Sequence, residues 1–164
     1  MEGSMALGHR RIRILALLLL SLTACVAPTP APSLDEAEGA LRSYFDALHE
    51  GRYHEAASLY AGDYAALEAN NPDLDPSDRA GLLERWCEQN GGVCLTVLTV
   101  VNRGLSTEGE FTFVVEFAND DGSTFEIGPC CGEEDTGERT REFAYTVRST
   151  EGVLAVLELP PYVP

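Results

Sequence analysis

Gly92 divides this chain into two periodicities, and that change limits the fold more than any other feature of the sequence. Before it, apolar residues recur every three or four positions, the spacing of one face of a helix. After it they recur every second position among Val, Thr and Phe, the spacing of one face of a strand. Helices first and strands afterwards, without alternation, predict an α+β domain in which N-terminal helices cover one face of a curved antiparallel sheet.

Ser33 and Glu36 make a capping box, and Ala37, Leu41, Tyr44, Phe45 and Leu48 continue one stripe as far as Gly51, which predicts the first helix. A shorter helix is expected over residues 53–60, stopped at Gly62, with one more turn over 64–69 and a loop over 70–74. A third helix starts with Asp75 as N-cap and Pro76 at the first helical position, passes through Leu82, Leu83, Trp86 and Cys87, and ends at Asn90-Gly91-Gly92. Five strands follow in a meander, over 93–101, 110–119, 123–127, 140–148 and 153–159. Phe111, Phe113, Val115 and Phe117 share one face of the second, and Arg141, Phe143, Tyr145 and Val147 one face of the fourth. Asn119-Asp120-Asp121-Gly122 is a tight hairpin signal, and Pro160-Pro161 closes the last strand.

The first 24 residues read as a leader: His9, Arg10, Arg11 and Arg13 form a basic start and residues 14–22 an apolar run. Nine helical residues cover roughly 14 Å, about half the hydrocarbon thickness, so this run is too short to span a bilayer. Leu22-Thr23-Ala24-Cys25 resembles the lipobox of bacterial lipoproteins. That resemblance implies cleavage before Cys25, lipid on its sulfur, and an extracytoplasmic, lipid-anchored place in the bacterial cell envelope. Residues 25–33 alternate proline with small residues, which favours an extended, semi-rigid tether, and residues 34–164 form the domain.

With 11 Arg, no Lys and 27 Asp plus Glu, the net charge is -16, and the leader carries three of the Arg but only one Glu. Acidity on this scale argues against nucleic acid as a partner, because phosphate binding needs clustered cations. The expected contacts are the membrane, through lipid on Cys25, and an unidentified protein or small molecule.

The stretch from Ala40 through Gly51-Arg52-Tyr53 to Ala56-Ala57-Ser58-Leu59-Tyr60 resembles the opening of NTF2-like domains: a helix ending in Gly, an aromatic, then a short helix with paired alanines. The resemblance implies a cone of helices on a curved sheet whose mouth can hold a small ligand, spanning roughly residues 34–159. Gly128-Pro129-Cys130-Cys131-Gly132 and the run from Leu157 to Pro164 are similar to segments of uncharacterised bacterial lipoproteins.

Four cysteines remain beyond Cys25, namely Cys87, Cys94, Cys130 and Cys131, and in an exported chain disulfides are the default among three possible pairings. In the expected meander Cys130 lies roughly 17 Å from Cys94 at ~3.4 Å per residue, beyond the roughly 7 Å reach between bridged Cα atoms. Cys87 with Cys94 is therefore the expected pair, closing a short loop for a stabilisation of about 2 kcal/mol. Cys130 and Cys131 are left to each other in a distorted ring that would be readily reduced. This leaves a turn-fixing role or a redox or soft-metal site; no Cys-x-x-Cys spacing and no neighbouring His supports metal.

Some NTF2-like members, isomerases and cyclases among them, use a buried Asp or His as general base. Here His49 and His54 flank the Gly51 turn on the polar side of the stripe, and Glu116, Glu126 and Glu142 alternate away from Phe117, Phe125 and Phe143. No catalytic residue is therefore assigned, and no metal or cofactor. Asp73, Asp75 and Asp78, and the acids at 133–138, lack the alternating calcium-loop pattern. Tyr44, Phe45, Trp86, Phe113 and Tyr145 are the candidates for lining a pocket, although rings at this spacing also suit a plain core. The expected activity is non-enzymatic binding of a ligand or protein; the alternatives are an isomerase or cyclase, or a thiol site at Cys130 and Cys131.

Overall fold

The computed structural model describes residues 31–128 and 139–163. Among these residues four helices precede four strands: α1 (Leu34–His49), α2 (Tyr53–Ser58), α3 (Ala65–Asn70), α4 (Arg79–Glu88), then β1 (Thr96–Leu105), β2 (Phe111–Ala118), β3 (Phe143–Thr150) and β4 (Val153–Val156). The strands form one antiparallel sheet in the order β1-β2-β3-β4. The fold class is α+β.

Local chemistry sets the ends of α1. The Ser33 hydroxyl accepts from the Glu36 amide at 3.3 Å while the Glu36 carboxylate accepts from the Ser33 amide at 2.7 Å, so both orphan N–H groups are met. At the other end Gly51 takes φ +71°, and the Arg52 and Gly51 amides donate back to the Ala47 and Leu48 carbonyls at 2.7 and 3.2 Å. That is a Schellman closure, and it turns the chain directly into α2. The buried residues of α1 include the whole expected stripe.

Beneath α1, Phe113, Val115 and Phe117 of β2 and Tyr145 and Val147 of β3 make the apolar face of the sheet. Phe45 stands edge-on between Phe117 and Tyr145, with ring centroids at 4.9 and 4.8 Å, an arrangement that places ring edges against ring faces. The opposite face carries Glu116, which accepts from the Thr99 hydroxyl at 2.7 Å and faces Arg141 at 3.6 Å. None of the described helices is long and apolar enough to cross a membrane. The leader and most of the tether, with Cys25, lie outside the described residues.

Three expectations need correction. The sheet has four strands among the described residues, not five: residues 123–127 make only the isolated bridges Ala118 to Thr124 and Ile127 to Thr140. The hairpin itself forms, with Gly122 at φ +81° and the Asn119 amide donating to the Ser123 carbonyl at 2.8 Å. Beyond it, the edge of β2 is taken by β3 from Val115 opposite Phe143 to Phe111 opposite Val147, leaving the short segment nothing to extend along. Second, α4 starts three residues later than expected. The Asp75 carboxylate is spent on the Ser77 amide and hydroxyl, closing a turn, and Asp78 caps the helix by accepting from the Gly81 amide at 2.9 Å. Third, α2 stops at Ser58, because Tyr60 leaves the helix to pair in parallel with Val156: the Val156 amide donates to Leu59 and the Ala61 amide to Val156, both at 2.8 Å.

Candidate functional site

Four of the six tyrosines of the chain gather under one end of α1. Tyr44 comes from α1, Tyr60 and Tyr64 from the connection between α2 and α3, and Tyr145 from β3. The Tyr44 ring stacks on Tyr60 at 5.8 Å, and Tyr60 meets Tyr64 edge-on at 5.0 Å. Gly62 permits this crowding, because a β-carbon there would run into the Leu157 carbonyl and the Tyr60 phenol. The Tyr60 hydroxyl donates to the Asp63 carbonyl at 3.2 Å, whereas the buried Tyr44 and Tyr64 hydroxyls have no hydrogen-bond partner among the described residues.

Glu158 completes the group. Its carboxylate accepts from the Thr146 amide at 2.6 Å, and its charge acts on Tyr44, Tyr60 and Tyr145. Burial is the first cause that pushes all four phenols upward, reinforced at Tyr44 by its tyrosine neighbours and then by Glu158. Tyr64 is pushed up to about 12, against the opposing pull of the Arg79 guanidinium 4.2 Å over its ring. At neutral pH these phenols are therefore O–H groups able to donate, with the Glu158 carboxylate acting on three of them and the Asp63 carboxylate also acting on Tyr60.

Glu158 was legible and overlooked. The alternation that carries Leu154 and Val156 inward carries Glu158, two residues further, to the same side. Tyr60 and Tyr64 gave no such signal, since their approach to Tyr44 depends on the parallel bridge to Val156.

The five residues put forward as a pocket lining, Tyr44, Phe45, Trp86, Phe113 and Tyr145, are all buried members of the core cluster. Tyr44, Phe45 and Tyr145 meet one another or share neighbours, Phe113 pairs across from Tyr145, and Trp86 lies apart, stacked on Tyr162 at 5.5 Å. The described surface depressions are lined by other residues. One, of about 480 Å³, lies between the Gly51 turn and α4, among Tyr53, His54, Asp78, Gly81, Glu84 and Glu88. Tyr53 donates to Glu88 there at 3.2 Å, and burial followed by the Glu88 charge pushes its phenol upward.

His49 and His54 are both exposed, with His49 Nδ1 3.1 Å from the Cys94 carbonyl oxygen. Cys87 and Cys94 sit at disulfide distance with Cα atoms 5.5 Å apart, tying the last turn of α4 to the approach to β1. Cys130, Cys131 and the acids at 133–138 lie outside the described residues. Arg85 holds the Asp73 carboxyl below its ordinary value at 2.7 Å, Ser77 does the same for Asp75, and Asp78 is a helix cap. Among the described residues no three His, Cys, Asp or Glu side chains are grouped to hold a metal ion.

The fold and this group define a small α+β domain with a buried cluster of phenols beside Glu158. No protein-family model, curated protein or solved structure matches the chain.

Proposed function

We propose that this chain is a lipid-anchored, extracytoplasmic domain of NTF2-like architecture that binds a small molecule or a protein without transforming it. The reading rests on the basic, apolar and small-residue segments that lead to Cys25. The cysteine pair at disulfide distance supports it, since such bonds persist in oxidising compartments. The order of helices on an antiparallel sheet is compatible with the NTF2-like cone, and the phenols with Glu158 are its chemically distinctive interior group. Labelled palmitate should enter the intact protein and not a Cys25→Ser variant, and that variant should leave the membrane fraction. Label in the variant, or tight membrane association without Cys25, would overturn the anchor.

One observation favours a second reading, an isomerase or cyclase. Neutral phenols next to a carboxylate are the parts needed to polarise a carbonyl and move a proton. Turnover of an enolisable ketone that is lost in Glu158→Gln would support catalysis, and equal rates in the two proteins would exclude it.

A further inference from the structure

We propose that the Cys87–Cys94 disulfide is a latch whose reduction frees the segment around Tyr162 and uncovers Trp86. The latch is independent of where the chain is anchored. The loop enclosed by the two cysteines is the dock for residues 161–163. The Val93 amide donates to the Pro161 carbonyl at 2.8 Å, the Val163 amide donates to the Gly91 carbonyl at 2.9 Å, and Gly92 bridges Tyr162 antiparallel. Every backbone atom that receives the segment therefore lies inside the cross-linked ring.

The dock has little freedom of shape. Gly91 takes φ +78°, and a β-carbon on it would strike the Val163 carbonyl and the Tyr162 ring; one on Gly92 would strike the Trp86 indole. The Gly92 amide donates to the Trp86 carbonyl at 2.9 Å, so the loop lies folded over that indole, with Tyr162 stacked on it at an interplanar angle of 29°. The other side of the loop is held by Asn90, which donates to Asn71 at 3.1 Å, and by the contact of His49 with the Cys94 carbonyl.

Tyr162 is 51% exposed and Val163 41% exposed. Beyond Pro161, which is buried, the attachment of Tyr162 and Val163 rests on two hydrogen bonds and a ring stack, and so on the shape of the loop. Both cysteines of the cross-link are half-buried. A dithiol would transfer two electrons and two protons: the S–S bond breaks, Cys87 and Cys94 each gain an S–H, and the dithiol closes to its own disulfide.

Trp86 is the only tryptophan of the chain, so its fluorescence reports this place alone. In the full chain, dithiothreitol should raise acrylamide quenching of Trp86 by about twofold or more, with the far-UV spectrum unchanged. The double variant Cys87→Ser with Cys94→Ser, which keeps Cys130 and Cys131, should show the raised quenching without reductant and no further rise with it. Tyr162→Ala should reproduce it in the oxidised protein. Unchanged quenching after mass spectrometry has confirmed free thiols at 87 and 94 would overturn the latch. Should the double variant fail to fold, hydrogen exchange of the parent decides. Faster exchange on reduction, confined to Val93 and Val163, supports the proposal; no change, or an equal change throughout the domain, overturns it.

Discussion

Tyr44 and Phe45 are adjacent on α1, fully buried, with ring centroids 5.0 Å apart, yet they bury opposite chemistry. Phe45 enters a group of edge-on rings and has no polar atom to satisfy. Tyr44 takes a similar area out of water but carries a hydroxyl with no hydrogen-bond partner among the described residues, facing Tyr60, Tyr64, Tyr145 and Glu158. A buried hydroxyl left unmet costs on the order of 1–3 kcal/mol, so the two ends of this core differ in what they contribute. One end holds the helix to the sheet, and the other bears a stability cost.

Alkali separates the two ends most strongly. Each of the four phenols has a folded pKa above its unfolded value near 10, so its contribution is whole below about pH 10 and is lost as pH rises toward the folded value. The four losses act together as pH rises above about 10, so the domain should unfold cooperatively in alkali. Phenolate absorbance and circular dichroism should change together there; gradual ionisation without loss of structure would show that the tyrosine end is open to water. Phe45→Ala should cost about 3–5 kcal/mol in denaturant unfolding, by loss of transfer energy and by the cavity left between Phe117 and Tyr145. A cost below about 1 kcal/mol would erase the distinction between the ends.

Smaller effects sharpen the same contrast. Glu158→Ala removes the acceptor of the Thr146 amide and should cost about 1–3 kcal/mol, with Glu158→Gln closer to the parent. Equal behaviour of all three proteins would show that the carboxylate does not hold β3. Tyr44→Phe should be neutral or stabilising by up to about 1 kcal/mol, since it deletes an unmet hydroxyl and keeps the ring. A clear loss of stability would show that the hydroxyl has a partner in solution.

Much of the helical half could be read from the residues. Ser33 with Glu36 and Gly51 delimit α1 through contacts three to five residues apart, so the pattern and the outcome agree. Asp75 and Asp78 illustrate the limit of such reading, because either aspartate can cap, and what the first carboxylate bonds to decides where α4 begins. The apolar face of β2 was equally plain, whereas the fate of residues 123–127 was not, since pattern does not say which of two segments takes the edge of β2. The phenol group needed Tyr60 to leave its helix, Gly62 to allow close approach and Glu158 to follow β4 inward, which are conditions set by three separated stretches.

By itself the order of residues determined both ends of α1, the inward faces of β2 and β3 and the Cys87–Cys94 pair, because each depends on neighbours a few positions away or on a strict period of two. Only the tertiary structure decided the strand count, the meeting of four tyrosines with Glu158 and the docking of residues 161–163 on the cysteine loop. Those depend on which distant backbone edges pair, and hydrogen-bonding groups on a strand edge are the same whatever side chains they carry.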